Sequence, residues 1–221
     1  MKLRIPTLLL LVMAIVLSGC GGDDQDADAR FTVLAGNYLD AMLAANPEWA
    51  TNLGDHRFDG EISDMTRDGF KASVKLAEAY LDSLGDIDPE GLSVENAIDY
   101  EILRDQLEYE IFMIEEVREY QWNPTLYNPG NGIYNLVARE FAPLPERLAS
   151  VKSRLEKLPQ QLEAAKLNLR NPPEVMTRTA ISQNPGVINL IMDGLQPYLD
   201  EVPEMRDAMA PVRSSAIAAL D

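Results

Sequence analysis

The residues best placed to do chemistry lie in one short segment of the chain. Asp55, His56 and Arg57 follow Gly54, a residue type that commonly ends a helix. A carboxylate, an imidazole and a guanidinium side by side can bind a polar ligand or orient one another, and an imidazole titrates near neutral pH. The same side chains can instead cap neighbouring helices and hold the loop by internal hydrogen bonds. We therefore name Asp55, His56 and Arg57 as candidates for lining a cleft and leave the structural role open.

The common catalytic sites are excluded by what the sequence lacks. His56 is the single histidine, whereas zinc enzymes of the His-Glu-x-x-His type need two imidazoles one helical turn apart. No Gly-x-Ser-x-Gly motif presents a serine nucleophile, and Gly130-Asn131-Gly132 lacks the lysine of a phosphate-binding loop. The sequence therefore predicts no catalytic residue, no metal site and no cofactor in this chain. A hydrolase centred on His56 is a formal alternative, which predicts that His56→Ala abolishes activity.

A row of glutamates is the second cluster that could do chemistry. Glu108, Glu115, Glu116 and Glu119 lie along one predicted helix, and Glu115 shares a face with Glu119. Carboxylates at that spacing can ligate a hard cation. A solvated helix face, with Arg118 balancing the charge, is the commoner explanation, and it is the interpretation we adopt.

Cys20 is the only cysteine, and it ends the sequence LSGC at residues 17–20. A basic start, a short apolar run and small residues before the break are typical of a secretory signal. As a helix, the run at residues 5–17 would span about 20 Å of the roughly 30 Å of hydrocarbon in a bilayer. The four residues resemble the lipobox of bacterial lipoproteins. This resemblance implies that residues 1–19 are removed and that Cys20 carries a diacylglyceryl group; an ordinary cleaved signal with an incidental thiol is the alternative.

The resemblance to a lipobox also implies a location. Two or more acyl chains hold a protein on a bilayer, where a single chain is marginal. We therefore expect a lipid-anchored protein of the bacterial cell envelope, facing the periplasm or the cell surface. Glycine rather than aspartate follows Cys20, which in the usual Gram-negative sorting pattern favours the outer membrane.

The charge balance excludes several classes of partner. The chain has 19 Lys and Arg against 36 Asp and Glu, a net charge of −17, and loss of Lys2 and Arg4 with the signal makes it −19. Nucleic acids and anionic lipid headgroups attract clustered basic residues, so neither is an expected partner. Membrane contact would come from the lipid, while peptides or further segments of a longer fold remain possible partners.

Apolar residues recur at steps of three and four along almost the whole chain. We divide the chain into a signal at residues 1–19, a flexible acidic tether at 20–29 and a helical domain at 30–221. The spacing predicts an all-α fold, an irregular bundle of about seven to nine helices with connections punctuated by proline. The longest predicted helix, residues 94–120, has Ser93 placed to accept a backbone hydrogen bond at its start. It is apolar on two sides, so we expect it at the centre of the bundle.

Proline and glycine set the other predicted boundaries. A short helix at residues 47–53 is expected to turn Trp49 and Leu53 inward. Proline cannot continue a helix and disfavours the helical conformation in the residue before it. Breaks are therefore expected at Pro159, at Asn171-Pro172-Pro173 and at Asn184-Pro185-Gly186.

Three segments resemble the bacterial family called domain of unknown function 885. They are PEWATNLGDHRFD at residues 47–59, LP with LEAAKLNL at 158–169, and NPP at 171–173. Members of that family are often exported lipoproteins and are grouped with zincin-like metallopeptidases. The resemblance implies that residues from about 30 onward form the helical N-terminal part of a peptidase-like fold. The family's His-Glu-x-x-x-x-His-His type segment has no counterpart here, so zinc is expected only in a full-length family member.

Two hypotheses of different classes follow. The first is the N-terminal part of a lipid-anchored, zincin-like peptidase, inactive as it stands. It predicts a large exposed apolar surface where the remaining part of the fold would dock. The alternative is a complete envelope lipoprotein that binds a partner or acts as a scaffold without catalysis, and it predicts a cooperatively folding chain with little exposed apolar surface.

Overall fold

The computed structural model describes residues 22–221, and their side chains from residue 26 onward. Within this part of the chain every regular element is helical and there is no β-strand, which confirms the all-α prediction. Residues 22–221 contain eight helices of seven or more residues and two shorter ones. They are α1 (Gly22–Ala45), α2 (Pro47–Leu53), α3 (Arg67–Gly85), α4 (Val94–Phe112), α5 (Glu119–Trp122), α6 (Gly130–Ala138), α7 (Leu144–Asn168), α8 (Glu174–Asn189), α9 (Gln196–Glu201) and α10 (Arg206–Leu220).

Among the side chains that the structure describes, the buried apolar residues form two clusters. The N-terminal cluster joins α1, α3 and α4, and includes Phe31, Leu84 and Leu107. The C-terminal cluster is larger and joins α6 to α10 around α7. Helix α2 lies between them, since it contacts α1 on one side and α6 on the other.

Helix α7, the longest of the helices in the described part of the chain, lies at the centre of the C-terminal cluster. Its side chains Leu148, Val151 and Leu155 are fully buried. The predicted break at Pro159 is wrong, because α7 continues through it to Asn168. A proline inside a helix costs about 3 kcal/mol, and we attribute its tolerance here to the extensive burial of the residues around it. The predicted break at Pro185 is wrong too, since α8 runs through it.

Helix α4 differs from its prediction in length and in position. Ser93 caps its start by accepting a hydrogen bond from the backbone of Asn96, as the sequence indicated. Regular helix then ends at Phe112 rather than near residue 120, because a wider π-turn follows and Arg118 takes a left-handed conformation, with φ of 54°. One side of α4 packs on the N-terminal cluster, but the other is exposed, so the expected central position is wrong. We call four of its exposed apolar residues the α4 stripe: Ile98, Ile102, Tyr109 and Phe112.

Three further predictions concern the first seventy residues. Helix α1 begins at Gly22, so most of the segment expected to be a flexible tether at 20–29 is helical instead. Asp28 also accepts hydrogen bonds from the backbone and hydroxyl of Ser93. The side chains of Trp49 and Leu53 are exposed, so the prediction that they turn inward is wrong. The signal at 1–19 and Cys20 lie outside the described residues.

The predicted NPP break is confirmed. Helix α7 ends at Asn168, and α8 begins at Glu174. Asn171 between them has φ of 49°, a left-handed conformation that asparagine adopts more readily than most residues.

Candidate functional site

The loop that carries the candidate residues is built by two short-range devices. Gly54 ends α2 with φ of 93°, a conformation that favours glycine. Asp55 then accepts a hydrogen bond from the backbone of Arg57 at 3.1 Å and so starts the single turn His56–Phe58. The shape of the loop is therefore set by residues within the loop itself.

Asp55 and Arg57 pair with each other. The guanidinium of Arg57 donates to both carboxylate oxygens of Asp55 and, at 2.8 Å, to Asp40 on α1. The hydrogen bonds from Arg57 lower the pKa of Asp55, and the two carboxylates raise the pKa of Arg57. Asp55, Arg57 and Asp40 all contact solvent, so these ion pairs connect the loop to α1 at the protein surface.

His56 is held on two sides. Its ring stacks on Phe141 with centroids 3.5 Å apart and an interplanar angle of 7°. Its Nδ1 atom lies 3.0 Å from Oδ2 of Asp59, a carboxylate that is almost fully buried. These contacts fix the ring against the protein and match the structural interpretation of the loop.

Asp59 begins a buried polar network that the sequence analysis missed. Its Oδ1 atom accepts a hydrogen bond of 2.6 Å from the hydroxyl of Thr51. That hydroxyl accepts a hydrogen bond of 2.6 Å from Nη2 of Arg154 on α7. His56, Asp59, Thr51 and Arg154 thus form a continuous chain from the surface to the centre of the fold, which we call the polar network.

Arg154 has the most unusual environment in this network. Its side chain is 2% exposed, and its guanidinium also donates to the carbonyl oxygens of Gly132, at 2.6 Å, and of Pro47, at 3.2 Å. Burial lowers the pKa of Arg154, while the negative charges of Glu48, Asp59 and Glu61 oppose that effect. Arg154 therefore joins α2 and α6 to α7 and brings a positive charge into the interior.

A cavity of about 230 Å³ lies directly beside Arg154. Its floor is one face of α7, formed by Arg154, Leu158 and Gln161. Its walls come from the start of α2, from residues 62–65 and from residues 126–133. Asp55, His56 and Arg57 do not line this cavity; only His56 is connected to it, through the polar network.

The residues that do line the cavity left a weak signal in the sequence. Arg154 and Gln161 are seven residues apart, so they lie on one face of α7 together with Leu158, between apolar neighbours. Polar side chains inside an apolar stripe indicate buried hydrogen bonding. No such pattern marks Glu48, because its position beside the cavity depends on a fold that brings distant segments together.

Two of the glutamates on and beyond α4 pair with neighbouring side chains. Oε1 of Glu108 lies 4.0 Å from Nε of Arg104, and Glu119 accepts a hydrogen bond from the side-chain amide of Asn123. Among the side chains that the structure describes, those of residues 26–221, no three His, Cys, Asp or Glu are grouped so that they could hold a metal ion. None of the helices in that part of the chain has the length and apolar content needed to cross a membrane.

A known structure has a similar fold. It is described as "a putative lipoprotein of unknown function from Shewanella oneidensis", and it superposes with a TM-score of 0.71 at 25% sequence identity. The likeness covers 86% of this chain but only 37% of that chain, so this chain spans well under half the length of that protein. No curated protein matches this chain. Residues 47–221 match a family model, which shows that the chain belongs to the family of bacterial proteins of unknown function called DUF885.

Proposed function

We propose that this chain is the exported, lipid-anchored N-terminal helical part of a zincin-like peptidase fold and is not catalytic on its own. One observation carries the proposal: most of this chain superposes on only 37% of a longer protein described as a lipoprotein. The helical domain is then one part of a longer protein, and the residues of the hydrolytic centre lie in the other part.

Lipid anchoring is supported by two independent observations. The LSGC sequence at residues 17–20 places the only cysteine where bacterial lipoproteins are acylated. The structurally similar protein from Shewanella oneidensis is itself described as a lipoprotein. We place this chain in the cell envelope by its lipid, facing the periplasm or the cell surface, with the outer membrane favoured.

A supporting role for this chain beside a larger fold is consistent with the α4 stripe. Its four side chains are 54–61% exposed, although they are large and apolar. An exposed row of this kind on one helix face commonly marks a packing surface. We assign this surface to the remaining part of a longer family member.

The described residues do not fit a catalytic zinc ion. His56, the only histidine of the chain, has its Nδ1 atom beside Asp59 and its ring stacked on Phe141. Zinc sites of peptidases take three protein ligands, usually with two histidines among them. The metal ligands of a peptidase fold would therefore have to come from outside residues 22–221, and we assign no catalytic step to this chain.

An immunoblot of the producing cell, with antibody raised against this chain, tests the proposal. Because the likeness occupies 37% of the longer structure, we expect a membrane-bound band more than twice the 24.6 kDa of this chain. Replacing Cys20 by serine should release that product into the soluble envelope fraction and abolish its labelling by a palmitate analogue.

A single band near the mass of this chain would contradict the proposal. The product would then be the complete envelope lipoprotein named above as the alternative, acting as a binding module. Membrane retention of the Cys20→Ser protein would separately contradict the lipid anchor.

A further inference from the structure

Two charged residues line the cavity beside α7, and the protein itself already binds both of them. Arg154 on the floor donates to three oxygen atoms of the protein, and its remaining Nε atom is buried. Glu48 on the wall accepts hydrogen bonds from the backbone of Ser63, at 3.2 and 3.1 Å, and from its hydroxyl, at 2.5 Å. The two charges are also opposite in sign. A neutral ligand therefore fits this lining better than a charged one.

Gln161 on the floor provides a hydrogen-bond acceptor that the protein does not use. Its side chain is 8% exposed, and its Nε2 atom lies 3.4 Å from the carbonyl oxygen of Ser63. Its Oε1 atom accepts no hydrogen bond from the described part of the chain, yet it is not enclosed, because Nε of Arg154 is the only enclosed side-chain nitrogen or oxygen there that lacks a partner. Gln161 lines the cavity, so the space open to Oε1 is the cavity. An amide oxygen in this position is suited to accept a hydrogen bond from a ligand.

Further planar polar side chains line the walls. Asn46 precedes α2, and Asn131 lies in the first turn of α6. The side-chain amide of Asn131 forms no hydrogen bond with the described residues, and that of Asn46 uses only its nitrogen, which donates to Met42. Each carboxylate oxygen of Glu48 has a further lone-pair direction. The lining thus provides donors and acceptors on several sides, which suits a ring that carries hydroxyl groups around its rim.

Trp49 adds a flat apolar surface to the cavity. Its side chain is a lining residue and is also 47% exposed. The face of an aromatic ring carries partial negative charge and attracts C–H groups. One face of a pyranose ring consists mainly of C–H groups, while its hydroxyls point outward from the rim. A pyranose can therefore pack on Trp49 and form hydrogen bonds with the amides at the same time.

The size of the cavity limits the ligand to a single ring. Its volume of about 230 Å³ lies below the roughly 300–1,000 Å³ typical of pockets for drug-sized ligands. A neutral peptide segment of similar size would present its polar groups along one line only. The distribution of polar side chains over the floor and the walls therefore favours a sugar over a peptide.

We propose that this cavity binds one pyranose unit of a neutral sugar. Its hydroxyl groups donate to Oε1 of Gln161 and to Glu48, and its C–H face packs on Trp49. This site depends only on residues 46–161 of this chain, so it does not rest on the proposed function.

Isothermal titration of the purified chain with glucose, galactose, mannose and N-acetylglucosamine tests the site. We expect at least one of these sugars to bind with a Kd of about 10 mM or lower. Glycerol, which has hydroxyl groups but no ring, should bind at least about tenfold more weakly, because it lacks a flat face for the indole. N-acetyl-leucinamide, a neutral peptide analogue, should also bind more weakly than the best sugar.

The variant Gln161→Met tests the proposed acceptor. It removes Oε1 but keeps nearly the same length and volume, so the best sugar should bind at least about tenfold more weakly. Gln160→Met is the matched control, because Gln160 is the neighbouring residue on α7 and is exposed. This control should change the affinity by less than about twofold. Thermal unfolding of both variants establishes that they are folded.

The variant Trp49→Leu tests the aromatic surface. It keeps an apolar side chain but removes the flat ring, so the best sugar should bind about fivefold or more weakly. Tyr134 on α6 is 51% exposed, and Tyr134→Leu is the matched control, which should leave the affinity unchanged.

Three results would overturn the proposal. The first is no detectable heat with any of the four sugars at about 50 mM in a chain that unfolds cooperatively, since that limit excludes even weak binding. The second is equal affinity of the Gln161→Met and Gln160→Met variants for the best sugar. The third is tighter binding of N-acetyl-leucinamide than of every sugar, which would assign the cavity to peptides.

Discussion

Helices α4 and α7 differ in how much of their surface the fold buries, and the difference does not follow their composition. Helix α4 carries apolar residues on two sides, but only Tyr100, Leu103 and Leu107 are buried. Helix α7 carries arginines, a glutamine and an asparagine among its apolar residues, yet ten of its side chains are buried and it forms the centre of the larger cluster. The more apolar helix thus lies at the margin, and the more polar one lies at the core.

The difference shows what helix composition can and cannot specify. Burial of an apolar helix face lowers the free energy, but the face does not indicate which part of the protein packs against it. A polar side chain can be buried wherever the fold provides partners, as Arg154 and Asn168 on α7 are. We therefore interpret the α4 stripe as a face that completes its packing elsewhere.

The largest expected effect comes from deleting core volume on α7. Leu155 is fully buried, so Leu155→Ala should lower the free energy of unfolding by about 2–5 kcal/mol. Ile102 in the α4 stripe is 61% exposed, so Ile102→Ala should change it by no more than about 0.5 kcal/mol. Urea unfolding followed by circular dichroism measures both. Similar losses for the two variants would mean that α4 is as well packed as α7.

The next largest effect concerns the polar network at the centre. Arg154→Met removes the donor for Thr51 and for two carbonyl oxygens, and we expect a loss of about 3 kcal/mol because those acceptors stay buried. Arg178, exposed on α8 and paired with Glu174, is the matched control, and Arg178→Met should cost about 0.5 kcal/mol or less. Equal stability of Arg154→Met and the unmodified chain would show that water replaces the guanidinium without cost.

A moderate effect is expected at the start of α4. Ser93 caps this helix and also donates to Asp28 on α1, so Ser93→Ala should lower the free energy of unfolding by about 1 kcal/mol. Ser182 on α8 bonds only within its own helix, and Ser182→Ala should have little effect in the same urea titration. A neutral result at Ser93 would indicate that the start of α4 frays in solution.

The smallest effect is a pH dependence on the buried side of α4. Burial raises the pKa of Glu110 above its ordinary value of 4.5, and its carboxylate lies 3.5 Å from the hydroxyl of Tyr38. The folded chain then binds more protons than the unfolded chain, so this group's contribution to stability falls as the pH rises above 4.5. Glu110→Gln should therefore gain stability relative to the unmodified chain between about pH 4 and pH 7. Parallel stability curves for the two proteins over that interval would contradict this assignment.

The sequence predicted the features that depend on neighbouring residues. The all-α class, the cap at Ser93, the end of α2 at Gly54 and the break at Asn171 all follow from local backbone chemistry. The failures arise where tertiary packing overrides a local preference. Pro159 and Pro185 lie inside helices because the surrounding packing outweighs the lost hydrogen bond.

The candidate site shows the same limit. Asp55, His56 and Arg57 are candidates because they are adjacent in sequence. In the structure Arg57 donates to Asp55 and Asp40, and His56 stacks on Phe141. The cavity instead joins Glu48 to Arg154, residues more than a hundred positions apart. Spacing along one sequence does not indicate such a pair.

The central claim is that the α4 stripe is covered by further chain in the cell, and thiol labelling tests it directly. Cys20 is the only cysteine of the unmodified chain. In the purified chain it is replaced by serine, and in cells its sulfur is expected to be acylated. In both preparations the Ile102→Cys variant therefore carries one free thiol, at position 102, which a maleimide labels. We predict fast labelling in the purified chain, and labelling at least about tenfold slower in the membrane-bound product of the producing cell, as burial requires. Equal labelling rates in the two preparations would contradict the account.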